Sequence, residues 1–505
     1  MNQFDFKNQS NQSDLVCKDS VATDSGYILI TGATGLVGQF LIKDLLLRKQ
    51  KLALLVRPNR KQNAQQRVDS IIARWETELG HHLPRPIVLQ GDLQNESLSL
   101  TKEQIDWVSN HCDRIIHNAA VLTFNGLDRN HEPWITNFNG TKNVLAFIKN
   151  CNIEELHYVS TAYVSGVCDT VFHETDFDSG QDFRNDYEHS KFEAEKLVRE
   201  TEGLKSKTIY RPAVISGDSK TGFTPSYHGI YVYLRLMATM IPLEPADEDG
   251  VRRISIKLPM QGDEPRNLVA VDWVSAVMSR IICDPAHHND TYHLVPKDHI
   301  TARKLVHYSY DYFNSTGTTF ADEGEGDNEQ GKFAATYLDN MTVYADYEQT
   351  DPIFDRSNIE KICGDLHCPI IDKDVVFKYY DYGISDNWGK RKTKPAKVDC
   401  WLEKQSDQIR EAIEKFQNES SPSAGLQFGL NVLGPGGGGW TIRIPVTGQP
   451  QFATGISPDS TQILSLDQPK NDQGEICCDE QIGRKLLDFL TDLNNSNQNQ
   501  VRILS

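Results

Sequence analysis

The sequence predicts an α/β fold: a doubly wound parallel sheet with a smaller second lobe and a C-terminal α+β appendage. Short apolar runs alternate with segments of helical periodicity between residues 27 and 212. This alternation is typical of parallel strands that helices cover on both faces. The first run is followed directly by a glycine-rich turn and an amphipathic helix, as in the first βαβ unit of such sheets.

The predicted strands follow one another at short intervals. They cover residues 27–30, 52–57, 86–90, 114–117, 156–160 and 208–210. Their length and apolar character are those of strands buried on both faces. A long polar helix that carries Ile71, Ile72 and Trp75 separates the second strand from the third. Right-handed crossovers are expected throughout.

The chain is expected to divide into five segments. They are a disordered leader (1–25), a main α/β domain with a second lobe (26–320), a linker or extension of that domain (321–400), a small α+β domain (401–495) and a polar tail (496–505). The leader is rich in Asn, Gln, Ser and Asp, a composition that cannot bury a core. Residues 226–241 are rich in Tyr and Met, and they fit a core or a pocket equally well.

Composition excludes several classes of protein. The 505 residues include 70 acidic and 52 basic side chains, a formal charge of −18, which disfavours binding to bulk nucleic acid or anionic lipid. No apolar run is long enough to span a bilayer, and the N-terminus lacks the pattern of a secretory signal. Ten cysteines, scattered except for Cys477-Cys478, form no disulfide framework. We therefore expect a cytoplasmic enzyme with reduced thiols and no integral membrane segment.

The turn after the first strand has the spacing of a dinucleotide-binding motif. Thr31–Gly38 reads TGATGLVG. The first glycine permits a tight turn, the second lets the backbone approach a pyrophosphate, and the third lets helix and strand pack closely. The phosphates would lie on the free N–H groups of the helix N-terminus. The candidate contacts are Gly32, Thr34, Gly35, Leu36 and Gly38.

The end of the second strand favours NADPH over NADH. NAD-binding proteins place a carboxylate there to hold the ribose 2′-hydroxyl, but this chain has Arg57, with Arg60, Lys61 and Arg67 downstream. A guanidinium can grip a 2′-phosphate with two charge-assisted hydrogen bonds. The alternative is that Arg57 is a solvated strand end.

Two further motifs follow the third and fourth strands. Gly91-Asp92-Leu93 offers a carboxylate that could accept a hydrogen bond from an adenine amine. In His117-Asn118-Ala119-Ala120 the small side chains would let a cofactor lie close to the sheet. Ligands of open α/β sheets bind at these carboxyl ends. The candidate contacts are Asp92, Leu93, Asn118, Ala119 and Ala120.

A candidate catalytic group lies near the start of a predicted helix. Tyr187 and Lys191 are four residues apart and therefore share one helix face. We expect the lysine ammonium to lower the pKa of the phenol and prepare it for proton transfer. Thr161 follows the fifth strand and could hydrogen-bond a carbonyl oxygen. Together these three side chains predict a carbonyl-reduction site that takes hydride from a nicotinamide cofactor.

In their order along the chain, these motifs resemble an extended short-chain dehydrogenase/reductase with a Rossmann-type sheet. The motifs are TGATGLVG, LLVRP, GDL, HNAAVLTF, NFNGT (137–141), HYVSTAYVSG, Tyr187-x-x-x-Lys191 and Arg211-Pro212, within residues 26–300. Within that superfamily the chain is similar to the thioester-reductase and fatty acyl-CoA reductase branch, of the male-sterility type. The resemblance implies Thr161, Tyr187 and Lys191 as the catalytic triad. It also implies that NADPH is contacted by Gly32, Gly35, Gly38, Arg57, Arg67, Asp92 and Pro212.

The branch reduces acyl chains, held as thioesters on an acyl carrier protein or coenzyme A, to aldehydes or alcohols. No adenylation domain or carrier-type serine motif is recognised here, so the thioester is expected to arrive in trans. The alternatives are a ketone, sterol or nucleotide-sugar dehydrogenase or epimerase and, as a non-enzyme, an NADPH-binding regulatory protein. The oligomeric state is not predicted.

Other motifs are set aside. Cys363, His367 and Cys368 lack a second ligand pair at zinc-site spacing, so no metal site is predicted. His287 and His288 lie in a polar stretch and are expected to be solvated. The glycine run 434–439 is interpreted as a hairpin, and the segments around it resemble small sterol-carrier-like lipid-binding folds.

Overall fold

The computed structural model describes residues 26–258, 260–321, 337, 341, 351–390, 401–420, 425–433, 438–446, 448–454, 463–467 and 485–492. The strands are β1 Tyr27–Thr31, β2 Leu52–Val56, β3 Ile87–Gln90, β4 Cys112–His117, β5 Glu155–Val159, β6 Val171–Phe172, β7 Ser206–Pro212, β8 Val214–Ser216, β9 Arg252–Lys257, β10 Pro265–Arg266, β11 Leu268–Ala270, β12 Thr291–Leu294, β13 Ile300–Thr301, β14 Ser315–Thr319, β15 Ile353–Phe354, β16 Leu426–Leu433, β17 Gly438–Ile444, β18 Gln451–Thr454 and β19 Ile463–Asp467. The helices are α1 Leu36–Leu47, α2 Ala64–Leu79, α3 Lys102–His111, α4 Gly140–Asn150, α5 Asp186–Glu200, α6 Ile230–Met240, α7 Val271–Ile282, α8 Ala302–Phe313, α9 Ser357–Cys363, α10 Lys373–Ser385 and α11 Trp401–Ser420.

The centre of the molecule is a seven-stranded sheet with the order β3-β2-β1-β4-β5-β7-β12. Every pairing between neighbouring strands in this sheet is parallel. The reversal of strand order beside β1 places the crevice of the fold between β1 and β4. The predicted doubly wound parallel sheet is therefore confirmed.

Helices cover both faces of the sheet, which explains why its central strands β1 and β2 are largely apolar. Successive residues of a strand point to opposite faces. Ile28 and Ile30 accordingly belong to one core cluster, with α1, α2 and α7, whereas Leu29 belongs to a second cluster with α3, α4 and α5. All five residues of β2 are buried. The apolar run at 52–57 is thus the signature of a strand with no solvent-facing side.

The helices around the site differ in how they begin. The Asn63 side chain caps α2 and forms a reciprocal capping box with Gln66, and Asn185 caps α5 by accepting from the Glu188 N–H. By contrast, α1 begins at Gly35, and no described side chain caps it. Its first N–H groups are the ones that face the crevice.

A second lobe packs at the carboxyl end of the sheet. Its core brings α6 together with β9, α8 and α10, through Tyr231, Leu234, Ile254, Val306 and Tyr379. Residues 351–390 contribute to this lobe, and β15 pairs with β6 in parallel. The segment that the sequence left as a linker or extension therefore packs against the main fold over 351–390.

The C-terminal part of the chain has a core of its own. Four strands in the order β18-β17-β16-β19 pack one face against α11 and a helix at 485–492. Ile413, Phe416, Phe428, Ile442 and Leu490 are the centre of that cluster. The predicted α+β character is present, while the segment boundaries and the lipid-carrier hypothesis stay predictions.

The leader 1–25, the glycine run at 434–437 and the tail 496–505 lie outside the described residues. In the part of the chain that is described, no helix combines the length and apolar character needed to cross a membrane.

Candidate functional site

The carboxyl ends of the central strands open into one cavity of about 1030 Å³. Every residue proposed from the sequence as a catalytic or cofactor contact lines this cavity, with the exception of Gly38. The topology of the sheet explains this convergence, because the turns that follow parallel strands all meet at one edge.

Two glycines of the TGATGLVG turn are required by its geometry. Gly32 has φ = +69°, and a Cβ there would lie 2.6 Å from the Ala119 nitrogen. A Cβ on Gly38 would overlap the Gly32 carbonyl oxygen, so this glycine lets α1 start against the turn without lining the cavity. With Gly35 at the N-cap and no acidic residue in its first turn, α1 offers unshielded N–H groups and a positive helix end.

Two guanidinium groups converge at the end of β2. Arg67 donates from Nη2 to the Thr34 Oγ1 at 2.8 Å and from Nη1 to the Arg57 carbonyl oxygen. The Arg57 side chain is 58% exposed and lies 3.6 Å from an Asp92 carboxylate oxygen. Burial, and then the nearby Arg57 charge, lower the pKa of Arg67. Two cations held this close at a cavity rim form a site suited to a dianion.

The segment after β4 is fixed to the glycine turn. The Asn118 Nδ2 donates to the Gly32 carbonyl oxygen at 3.1 Å, and the Ala119 N–H donates to Thr31 Oγ1 at 3.3 Å. His117 bridges the Thr31 and Thr141 hydroxyls at 2.7 and 3.0 Å. Burial, assisted by the Lys191 charge, lowers the pKa of His117 to about 3, so this imidazole is neutral at pH 7.

Thr161 and Tyr187 lie side by side in the cavity and share a hydrogen bond. Thr161 follows β5, and Tyr187 lies in the first turn of α5. Burial raises the pKa of Tyr187 to about 12, although a hydrogen bond with the Thr161 side chain opposes the rise. The phenol is therefore protonated at pH 7, with a threonine hydroxyl as its neighbour.

Lys191 is held by groups other than the tyrosine. Its Nζ donates to the Val159 carbonyl oxygen at 2.7 Å and to the Tyr158 Oη at 3.0 Å, and the residue is 1% exposed. Burial lowers the pKa of this lysine to about 7, against the opposing effect of Glu195. The expectation that Lys191 lowers the pKa of Tyr187 is wrong in this structure, because burial dominates both groups.

A buried ion pair beneath Thr161 was missed from the sequence. Glu195 accepts from Ser160 Oγ at 2.5 Å and from Arg211 Nη2 at 2.7 Å. Although burial alone would raise the pKa of Glu195, Arg211 lowers it to about 2. The spacing could have indicated that Glu195 lies at the site, because Glu195 is four residues beyond Lys191 and therefore on the same helix face.

Asn137 was noted only within NFNGT, and the structure gives it a specific position. Its amide accepts from the Val121 N–H at 2.8 Å and donates to the Val121 carbonyl and Ser190 Oγ, both at 3.1 Å. Asn137 thus ties the segment after Ala120, which lines the cavity, to the helix that carries Tyr187.

Beyond Thr161 and Tyr187 the cavity becomes largely apolar. Its walls there come from β11, α6, α8 and the segments beside them, and they include Tyr231, Tyr233, Leu258, Met260, Leu268, Ile300, Leu305, Val306, Tyr337 and Met341. Within residues 226–241, Tyr231 and Tyr233 line the cavity, whereas Met237 packs in the core of the second lobe. In this segment, Tyr231 and Tyr233 therefore belong to the pocket wall, and Met237 belongs to the core.

Comparison with known proteins finds a family that is similar to the part of the chain that forms this site. Residues 30–278 match the family described as "Male sterility protein", a model of NAD-binding domains. This part of the chain is similar to that family. The resemblance stated from the motifs is confirmed, and a nicotinamide dinucleotide is the cofactor to which the fold is suited.

Similar proteins are long synthetases and the reductase domains of such systems. The chain is 23% identical over 401 residues to the non-canonical nonribosomal peptide synthetase FrzA of Cladobotryum sp, covering 72% of this chain and 36% of that protein. It therefore spans about a third of the length of this curated relative.

Two solved structures share the fold of the male-sterility-type domain. The terminal R domain from the myxalamid PKS-NRPS pathway is 24% identical with a TM-score of 0.56, over 73% of this chain and 93% of that domain. A thiolation-reductase di-domain from an archaeal nonribosomal peptide synthetase is 18% identical with a TM-score of 0.55, over 72% of this chain and 76% of that di-domain.

Proposed function

We propose that this protein is an NADPH-dependent reductase that converts an acyl thioester to an aldehyde. The observation that carries the proposal is a single cavity with three successive parts. A groove with anion-binding ends leads to the Thr161–Tyr187 pair, and beyond that pair lies an apolar pocket.

The chain's own groups fit the cofactor. The N–H groups of the first turn of α1, at Leu36 and Val37, suit a pyrophosphate, and Arg57 with Arg67 suits a ribose 2′-phosphate. A protonated Lys191 has three N–H bonds, of which two are directed to Val159 and Tyr158, so the third is the candidate donor to the nicotinamide ribose. When bound, NADPH supplies a hydride to the thioester carbonyl carbon.

Thr161 and Tyr187 would act on the carbonyl oxygen. Because the pKa of Tyr187 is raised to about 12, its hydroxyl is a hydrogen-bond donor at pH 7 and can stabilise negative charge that develops on that oxygen. Tyr187 then gives its proton to the oxygen. The resulting hemithioacetal collapses as its carbon–sulfur bond breaks. Its hydroxyl proton returns to Tyr187 while the carbonyl re-forms, and the expelled carrier thiolate takes one proton from solvent, which leaves the aldehyde and the free thiol.

The wall beyond the catalytic pair suits an acyl chain better than a sugar nucleotide. Aliphatic side chains such as Leu258, Leu305 and Val306 offer neither charge nor hydrogen bonds to a diphosphate or a sugar. Arg266 and Asp351 also line the cavity, and they lie 4.0 Å from each other as an ion pair. Relatives that are peptide synthetases or thiolation-reductase di-domains support a substrate that arrives on a carrier thiol. The proposed partner is therefore an acyl carrier protein or acyl-CoA.

The test is NADPH oxidation with a panel of acyl-CoAs and short acyl thioesters of increasing chain length. Tyr187→Phe should lower kcat by about 100-fold or more, as expected for loss of a general acid, and leave the Kd for NADPH nearly unchanged. The matched control is Tyr233→Phe, which removes a hydroxyl from the apolar wall of the same cavity and should retain turnover. Full activity of Tyr187→Phe, or no oxidation with any thioester, would contradict the proposal.

A further inference from the structure

A group of metal-ligating side chains lies at the opposite end of β5 from Thr161. Glu155 and His157 are on β5, and His288 follows α7, with their ligand atoms all within 4.8 Å of one another. His157 Nε2 is 3.0 Å and His288 Nδ1 is 3.7 Å from the same Glu155 oxygen. The predicted solvation of His288 is wrong, because its side chain is only 5% exposed.

The hydrogen bonds of His288 direct a lone pair towards the carboxylate. Its Nε2 is 3.0 Å from the Ile281 carbonyl oxygen, which can only accept, so Nε2 carries the proton. In the form of His288 that can bind a metal, Nδ1 carries a lone pair, and this atom faces the Glu155 carboxylate. His288 Nδ1 and the Glu155 oxygen are 3.7 Å apart, and a cation between these two acceptor atoms would stabilise their approach.

We propose that Glu155, His157 and His288 bind one divalent metal ion of the zinc type. Tetrahedral zinc with bonds of about 2.0–2.1 Å holds its ligand atoms about 3.3 Å apart, close to the observed 3.0 and 3.7 Å. The 3.0 Å contact is a hydrogen bond between His157 Nε2 and Glu155, and zinc binding would replace it. Two imidazole nitrogens and a carboxylate oxygen are the ligand types that zinc takes, with one position left for water.

The surroundings supply the supporting contacts that metal-bound histidines use. His288 Nε2–H donates to a backbone carbonyl, and His157 Nδ1 is 2.9 Å from the Tyr210 hydroxyl, so both rings are oriented by their second nitrogen. The Glu155 side chain is 25% exposed and provides the route of entry. Arg114 lies 3.9 Å from the same carboxylate oxygen, but it also binds Asp113 at 3.1 Å.

The site would be structural rather than catalytic. Along β5, Glu155 lies about 13 Å and His157 about 7 Å from Val159 at 3.3 Å per residue, so both ligands lie away from the catalytic end of the strand. A metal ion here would join the start of β5 to the chain segment between α7 and β12. Metal binding is therefore expected to raise the melting temperature without being needed for turnover.

The experiment titrates the full chain, freed of metal by chelator, with Zn²⁺ and with Co²⁺. We expect one tight site per chain and a higher Tm with Zn²⁺. With Co²⁺ we expect visible absorption bands of the high molar absorptivity that tetrahedral coordination gives. His288→Ala should weaken this site by about 100-fold or more and abolish the Tm rise, since even an outer-shell contact is worth about 10–100-fold. Glu155→Gln should weaken it as well.

The matched control is His287→Ala, which removes the neighbouring histidine, whose Nε2 lies 3.5 Å from Asp284. This variant should bind zinc as the wild type does. NADPH binding by each variant verifies that it is folded. No stoichiometric metal uptake by the wild type, or equal affinity in the wild type and His288→Ala, would overturn the proposal.

Discussion

Replacing Arg57 with alanine should separate NADPH from NADH in binding. A charged hydrogen bond contributes about 1.5–3 kcal/mol, and a guanidinium can make two to a 2′-phosphate. The Arg57 side chain is 58% exposed and already lies 3.6 Å from Asp92, so solvent and the carboxylate reduce that gain. We expect a net loss of about 2 kcal/mol, or about 30-fold in the Kd for NADPH. The Kd for NADH should stay within about twofold, because NADH has no 2′-phosphate.

Calorimetric or fluorescence titration with both dinucleotides measures the effect directly. Arg60→Ala is the control, since Arg60 is an exposed arginine of the same loop that does not line the cavity. The wild-type preference for NADPH should also weaken as salt rises, because the 2′-phosphate contact is partly exposed. Equal losses for NADPH and NADH in Arg57→Ala, or an equal effect of Arg60→Ala, would refute the assignment of this rim to the 2′-phosphate.

Two further predictions concern stability. Gly38→Ala should lower the free energy of unfolding in urea by about 1–3 kcal/mol and weaken dinucleotide binding. The reason is that the added Cβ meets the Gly32 carbonyl and the Ala33 backbone. Unchanged stability would mean that α1 can move away from the turn. For Lys191, burial lowers the pKa to about 7 from its usual 10.5, so between these values the unfolded chain binds a proton that the folded chain lacks. Stability relative to Lys191→Met should therefore rise with pH from about 7 towards 10, by up to about 1.4 kcal/mol per pH unit, and parallel unfolding profiles would contradict it.

The parallel sheet was predictable from sequence because its signal is local. β1 and β2 are short apolar runs, and the spacing of the glycines predicts the turn between β1 and α1. These elements are therefore found within a few residues of their predicted positions. The cofactor-binding candidates follow from the same logic, since the carboxyl ends of parallel strands must meet.

The apolar half of the cavity could not be predicted in this way. Its walls come from residues as far apart in sequence as Tyr231 and Met341, and no local pattern links them. His288 shows the same limit, because its polar neighbours along the chain suggest solvation, whereas β5 and α7 enclose it. Both features depend on long-range packing, which a single sequence does not display.

The proton chemistry of the site illustrates why spacing alone was insufficient. Tyr187, Lys191 and Glu195 follow one another at intervals of four along α5. The shared face of Tyr187 and Lys191 was predicted from this spacing, but the place of Glu195 was not. The direction of each pKa shift, however, depends on what encloses the groups. Arg211 compensates Glu195, whereas burial of Lys191 and Tyr187 is less well compensated, so the pKa of Lys191 falls and the pKa of Tyr187 rises. A phenol kept protonated by its surroundings can donate a proton to a carbonyl oxygen at neutral pH, and the direction of reaction that this favours is reduction.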